Sequence, residues 1–123
     1  MKIRKFEDLK SWQKAQDLAV VIYSEFGTLR DFGFRDQITR ATVSISNNIA
    51  EGFDRNSTAD FCRFLSIALA SCSEVRSMLY LSERLHYISS EKIEELAKET
   101  NDIAKMITGL RKYLKNYKKT TNN

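Results

Sequence analysis

The chain has 123 residues, no proline, four glycines, 42% hydrophobic residues and a formal net charge of +4. That length sets one domain, residues 1–123, with its own core, and apolar residues in long blocks with few turn formers exclude a strand-rich or disordered chain. No apolar run approaches the roughly 18 residues of a membrane span, and the opening MKIRKFEDLK lacks the apolar segment of a signal peptide, so a cytoplasmic protein with no membrane association is expected.

Asp8 is placed to cap a first helix over about 8–26, with Leu9, Trp12, Ala15, Ala19, Ile22 and Phe26 on its buried side. GTLRDFG, from Gly27 to Gly33, then reads as a loop, and a second helix runs over about 34–52, with Gly52 suited to a left-handed C-terminal residue. Ser57 and Asp60 form a capping-box pattern that opens a third helix over about 57–85. Its Phe61, Leu65, Ala68, Cys72, Val75 and Leu79 recur at alternating spacings of four and three. Ser89 or Ser90 caps a fourth helix over about 90–118, whose Ile93, Leu96, Thr100, Ile103, Ile107, Leu110, Leu114 and Tyr117 keep a strict three-four alternation. Four helices with short links pack most simply as an antiparallel up-down-up-down four-helix bundle, an all-α fold. Its two longer helices leave apolar surface for another copy to cover, so a homo-oligomer is expected.

Charge is segregated along the chain. Residues 1–14 carry five basic and two acidic groups, residues 15–102 nine and fourteen, and residues 103–123 six and none. Up-down topology sets the first and last segments side by side, gathering Lys2, Arg4, Lys5, Lys10, Lys14 and Lys105 with Arg111, Lys112, Lys115, Lys118 and Lys119. Tyr113 and Tyr117 interleave with those cations, a pattern in which aromatic faces stack on unpaired bases while the cations follow phosphates. Lysines late in a helix are also favoured by the helix dipole alone.

On the second helix, Gln37, Arg40, Ser44, Asn47, Asn48 and Glu51 share a face beside the apolar stripe Ile38, Ala41, Ile45, Ile49. Short polar side chains form helices poorly, so such a band is a costly choice on a face with nothing to bind. Gln37, Arg40, Ser44, Asn48, Glu51 and, past the helix end, Arg55 are therefore the expected seam against a second helix or subunit. Asp54, Asp60, Glu51 and Glu74 are expected to bridge to Arg40, Arg55 and Arg63.

Signals of catalysis are scarce. Glu83 and His86 make one E-x-x-H, but di-iron bundles need two such pairs with further glutamates, and the chain has one histidine. Cys62 and Cys72 lie ten residues apart in one helix, about 15 Å along its axis, too far for a mutual disulfide. They read as core thiols. No glycine-rich phosphate loop occurs, and no enzyme activity, metal or cofactor is expected.

Several elements together resemble a known family. They are Trp12, Ala15 and Tyr23; Gly33 and Gln37 before Arg40-Ala41; Ser44-Ile45; Asn48-Ile49-Ala50-Glu51-Gly52; Arg55; and Phe61, Phe64-Leu65, Ile67-Ala68, Ser71 and Glu74. The chain resembles the small four-helix bundle proteins encoded by intervening sequences in bacterial large-subunit (23S) ribosomal RNA genes. It departs from their pattern at Gly27 and Ser46, where prolines are usual, at Arg30, where an acidic residue is usual, and at Ala70, where glycine is usual. The resemblance implies a bundle assembling as a ring, with a pentamer the expected form. It also implies kinship with the accessory variability proteins of diversity-generating retroelements, basic pentameric barrels that bind nucleic acid and partner a reverse transcriptase. A non-enzymatic, nucleic-acid-binding accessory protein is the resulting expectation, with structured RNA as ligand. The alternative is a protein-interaction scaffold with no nucleic-acid role.

Overall fold

A computed structural model describes the backbone of residues 3–121 and the side chains of residues 3–117. A 3-10 turn at Phe6–Asp8 precedes four helices: α1 Lys10–Phe26, α2 Phe32–Phe53, α3 Thr58–Arg84 and α4 Ser90–Thr121. α1 packs on α2 and α4, α2 on α3, and α3 on α4, while the diagonal pairs stay apart. The result is a four-sided bundle. Its floor is Leu18, Ile22, Ile38, Ile45, Ile49, Leu65, Leu79, Leu96 and Ile107, all buried to 1% exposure or less, each contributing roughly 1.5–3 kcal/mol by leaving water. The buried hydroxyls of Thr42, Ser82 and Thr100 donate 2.7 Å bonds to carbonyls of their own helices, so the core leaves none of the three unsatisfied.

Local chemistry sets where the helices start. Asp31 Oδ1 accepts from the Phe34 amide at 3.2 Å, so α2 begins at Phe32, before the glycine that was expected to end the loop. The Ser57 hydroxyl accepts from the Asp60 amide at 3.1 Å, and the Ser89 hydroxyl accepts from the Lys92 amide at 3.3 Å. Asp8 does not cap α1. The 3-10 turn takes it up, and Leu9 occupies the cap position with extended backbone and no side-chain bond.

The ends hold two further differences from expectation. Gly52 is not left-handed: every described glycine has negative φ, and the chain leaves α2 through Asp54. Glycine stands there because a Cβ would lie 2.7 Å from Phe64 Cβ and 2.9 Å from Phe61 Cδ1, so its missing side chain lets α2 and α3 approach. The left-handed residue is His86, with φ of 59°. Its amide donates to Glu83 O at 3.1 Å and the Tyr87 amide donates to Ser82 O at 2.9 Å, the paired bonds of a Schellman closure of α3.

α3 reaches the length and mean apolarity of a marginal membrane span, which corrects the reading that no segment approaches one. Its apolar stripe, from Phe61 through Leu79, is nevertheless buried in the bundle. Cys72 lies on that stripe, and burial pushes its thiol up to about 12; Cys62 is half-buried, and both are free. Along α4 the seam is buried as far as Ile107, half-buried at Leu110 and Leu114, and exposed at Tyr117. The helix therefore outruns its neighbours.

Candidate nucleic-acid interface and polar helix face

α1 and α4 run antiparallel. Glu25 meets Lys92 at 3.7 Å near one end, and Lys14, Leu18 and Val21 share a groove with Asp102, Ile103 and Met106 further along. Continuing that register brings Lys10 level with the turn around Leu110 and Arg111. Lys10, Lys14, Lys105, Lys112 and Lys115 are exposed, and no ion pair to a carboxylate engages any of them among the described residues. Arg111 is half-buried, and its Nε is enclosed without a hydrogen-bond partner. Tyr113 and Tyr117 are 61% and 57% exposed, with ring centroids 6.2 Å apart and planes inclined by 27°. The aromatic pair and its flanking cations thus sit where α4 leaves the core.

The positive region differs from the expected cluster in three ways. Arg4 and Lys5 are exposed, but the 3-10 turn they lead into packs on α1 and α2 rather than on α4. Lys14 shares its groove with Asp17, Glu99 and Asp102, so the surface there is mixed. Arg55 and Arg63, where α2 ends and α3 begins, join this same end of the bundle, together with the carboxylates Asp54 and Asp60. Lys2 and the side chains of Lys118 and Lys119 lie outside the described residues.

The polar face of α2 divides between two surroundings. The Ser71 hydroxyl of α3 donates to Ser44 Oγ at 2.9 Å, and Asn48 Nδ2 donates to Ser44 Oγ at 2.9 Å and to Ser44 O at 2.8 Å. Gln37 Nε2 reaches Glu74 Oε2 at 3.3 Å. Gln37 and Ser44 therefore meet α3 within one chain, while Asn48 is held by Ser44 of its own helix. Arg40 and Glu51 line an open groove of about 540 Å³ between α1 and α2, shared with Ser44, Asn48, Tyr23, Asp36 and Asn47. Arg40 and Ser44 also border a second hollow toward Glu74.

The arginine–carboxylate bridges expected around this face are largely absent among the described residues. Arg63 approaches Asp60 at 3.8 Å, but Arg40 and Arg55 have no such partner. Arg55 and Arg63 both lie over the Phe64 ring, 4.7 and 4.8 Å from its centroid, because that ring offers a cation a π face at the helix junction. One contact was not foreseen at all. Gln16 of α1 donates to Ser46 Oγ at 3.0 Å, and Ser46 is fully buried. A hydroxyl at a position where the resembling family usually has proline was the available signal.

Residues 7–109 match the model of the family described as 23S rRNA-intervening sequence protein. The chain belongs to that family. A solved structure described as a protein of unknown function from the S23 ribosomal protein family of Bacteroides thetaiotaomicron VPI-5482 is 30% identical. It superposes with a TM-score of 0.77 over 83% of this chain and 98% of that one. No functionally curated protein matches. The family match ends before Arg111, so the stacked tyrosines and their cations lie past the segment this 23S rRNA-intervening sequence protein shares with the family model.

Proposed function

We propose that this chain is a non-enzymatic, homo-oligomeric accessory protein of the cytoplasm that binds structured RNA or another nucleic acid through its basic end. The observation that carries the reading is the Tyr113–Tyr117 pair, exposed beyond the core and flanked by Lys112 and Lys115, which have no carboxylate partners among the described residues. The family's description as an rRNA intervening-sequence protein supports RNA as the ligand. Assembly as a ring, with five copies the expected number, and partnership with a protein such as a reverse transcriptase follow from the resemblance noted in the sequence. The bundle carries no base-reading module, so affinity comes from phosphate neutralisation and from stacking on unpaired bases.

The deciding experiment is a salt titration of binding to a structured RNA. With three or four phosphates neutralised, affinity falls by about 10²-fold between 50 and 200 mM salt. Replacing Lys112, Lys115, Lys118 and Lys119 with glutamine flattens that slope and leaves assembly unchanged. Absent or salt-insensitive binding by the unaltered protein overturns the reading and leaves an interaction scaffold in its place.

A further inference from the structure

Apart from Tyr80 and the two tyrosines of α4, the large apolar side chains left exposed among the described residues gather on two sides of the bundle. Val20 and Tyr23 of α1 form one group with Phe32 of α2. Tyr23 lines two open grooves between α1 and α2, and Arg35, whose guanidinium lies 4.7 Å from the Phe32 ring centroid, lines the second of them. Ile67, Leu81 and Leu85 of α3 form the other group, within about 40° of one another on the helix. Ser71 and Glu74, which stand between them in the sequence, line the hollow between α2 and α3, so this stripe looks out beside that hollow. α1 and α3 occupy opposite corners and do not touch. One chain therefore carries two unlike apolar patches that face different ways.

The patches match in extent and in height. Their six side chains are 40% to 69% exposed. A large side chain presents on the order of 200 Å² when fully exposed, so about 600 Å² of apolar surface is left to cover. At the apolar share of roughly 57% usual in such contacts, that corresponds to an interface of about 1,000 Å², the size at which specific association begins. The Phe26–Phe34 ring contact and the Gln37–Glu74 bond fix the relative heights of α1, α2 and α3. At 1.5 Å per residue, Phe32 stands within about 3 Å of the level of Leu81, and Val20 within about 6 Å of Ile67. We infer that Val20, Tyr23 and Phe32 of one copy cover Ile67, Leu81 and Leu85 of the next, with Phe32 against the two leucines and Val20 beside Ile67. A contact between unlike patches leaves each copy one of each to offer, so it repeats with a constant turn and closes as a ring when the turns complete a circle. Such a contact suits an odd number of subunits as well as an even one. It rests on the homo-oligomeric part of the proposed function and is independent of nucleic-acid binding.

Mixing two patch variants of the full chain tests the contact, read by sedimentation velocity over a concentration series, with thermal melts to check that each variant is folded. The first carries Val20→Glu and Phe32→Glu, the second Ile67→Glu and Leu81→Glu. Each alone is expected to weaken association at least about tenfold, because every contact then sets carboxylates against an apolar patch. An equimolar mixture is expected to form dimers and nothing larger. The intact patch of each variant meets the intact patch of the other, and the two that remain are blocked. Serine at the same positions takes the place of any glutamate pair that fails to fold, with the same outcomes expected. Folded variants that assemble as the wild type does overturn the contact while leaving the oligomer intact. Weakened variants that form no mixed dimer overturn it too, as does a stable dimer of either variant alone. A wild-type chain that stays monomeric at every concentration overturns both this contact and the homo-oligomeric reading.

Discussion

The Tyr87 hydroxyl donates a 2.7 Å hydrogen bond to Asp31 Oδ2, tying the link after α3 to the loop before α2 across 56 residues of chain. Asp31 uses its other oxygen to cap α2, and the Tyr87 ring packs edge-on against Phe34 at 5.3 Å. One carboxylate thus starts a helix and fastens two loops at the same end of the bundle.

That bond has a defined pH window. The Tyr87 hydroxyl, then the Phe34 amide, hold the Asp31 carboxyl below its usual range, and the Asp31 bond and charge raise the Tyr87 phenol above its own. A depressed carboxylate stabilises the fold above its unfolded value near 4 and loses that contribution as pH falls through the folded value. A raised phenol stabilises below about 10 and loses its contribution as pH rises through the folded value. Tyr87→Phe is therefore expected to melt a few degrees lower than wild type at neutral pH. The gap closes in acid and in strong base; a gap constant across pH would contradict the assignment.

Gly52→Ala is expected to destabilise. Alanine improves helix propensity by about 1 kcal/mol, but its methyl group enters the space of the Phe64 Cβ and the Phe61 ring, an overpacking cost of roughly 1–3 kcal/mol. A net loss of up to about 2 kcal/mol in denaturant unfolding is the expected result. A more stable alanine variant would mean that α2 and α3 do not approach so closely.

His86→Gly should act in the opposite direction. A non-glycine residue at φ of 59° bears a steric cost that glycine does not, so the substitution is expected to stabilise by about 0.5–1 kcal/mol. His86→Ala keeps the Cβ and should give no such gain. The pair of variants, compared by chemical denaturation, separates backbone strain from any role of the imidazole.

At the basic end, stacking and charge can be separated. Replacing Tyr113 and Tyr117 together with alanine is expected to cost about 1–3 kcal/mol per stacked base for an RNA with unpaired loops, leaving the salt slope unaltered. The lysine replacements change the slope instead. Equal losses on duplex and loop-containing RNA after the tyrosine change would show that the rings do not engage bases.

The helices were readable because their apolar periods are long: the α4 stripe from Ile93 to Ile107 is buried as its spacing predicts. Features depending on which atoms meet across helices were not. Gly52 looked like a backbone-driven cap because nothing in one sequence shows that Phe61 and Phe64 crowd it. His86 was hidden because its link lacks the glycine that usually marks a left-handed residue. Among the seam candidates, the band on α2 was visible, but its division between α3-facing Ser44 and open Arg40 depends on the rotation of the helix in the bundle. Arg55 was read as a bridge to a carboxylate, whereas a neighbouring aromatic face holds it.

The contrast between the two cysteines of α3 has a practical consequence. With Cys72 enclosed and its thiol held protonated, a maleimide dye added to the native protein should attach at Cys62 alone. That residue adjoins Arg63 at the same end of the bundle as the last turns of α4, so the fluorophore becomes a reporter of occupancy there, installed without altering a single codon.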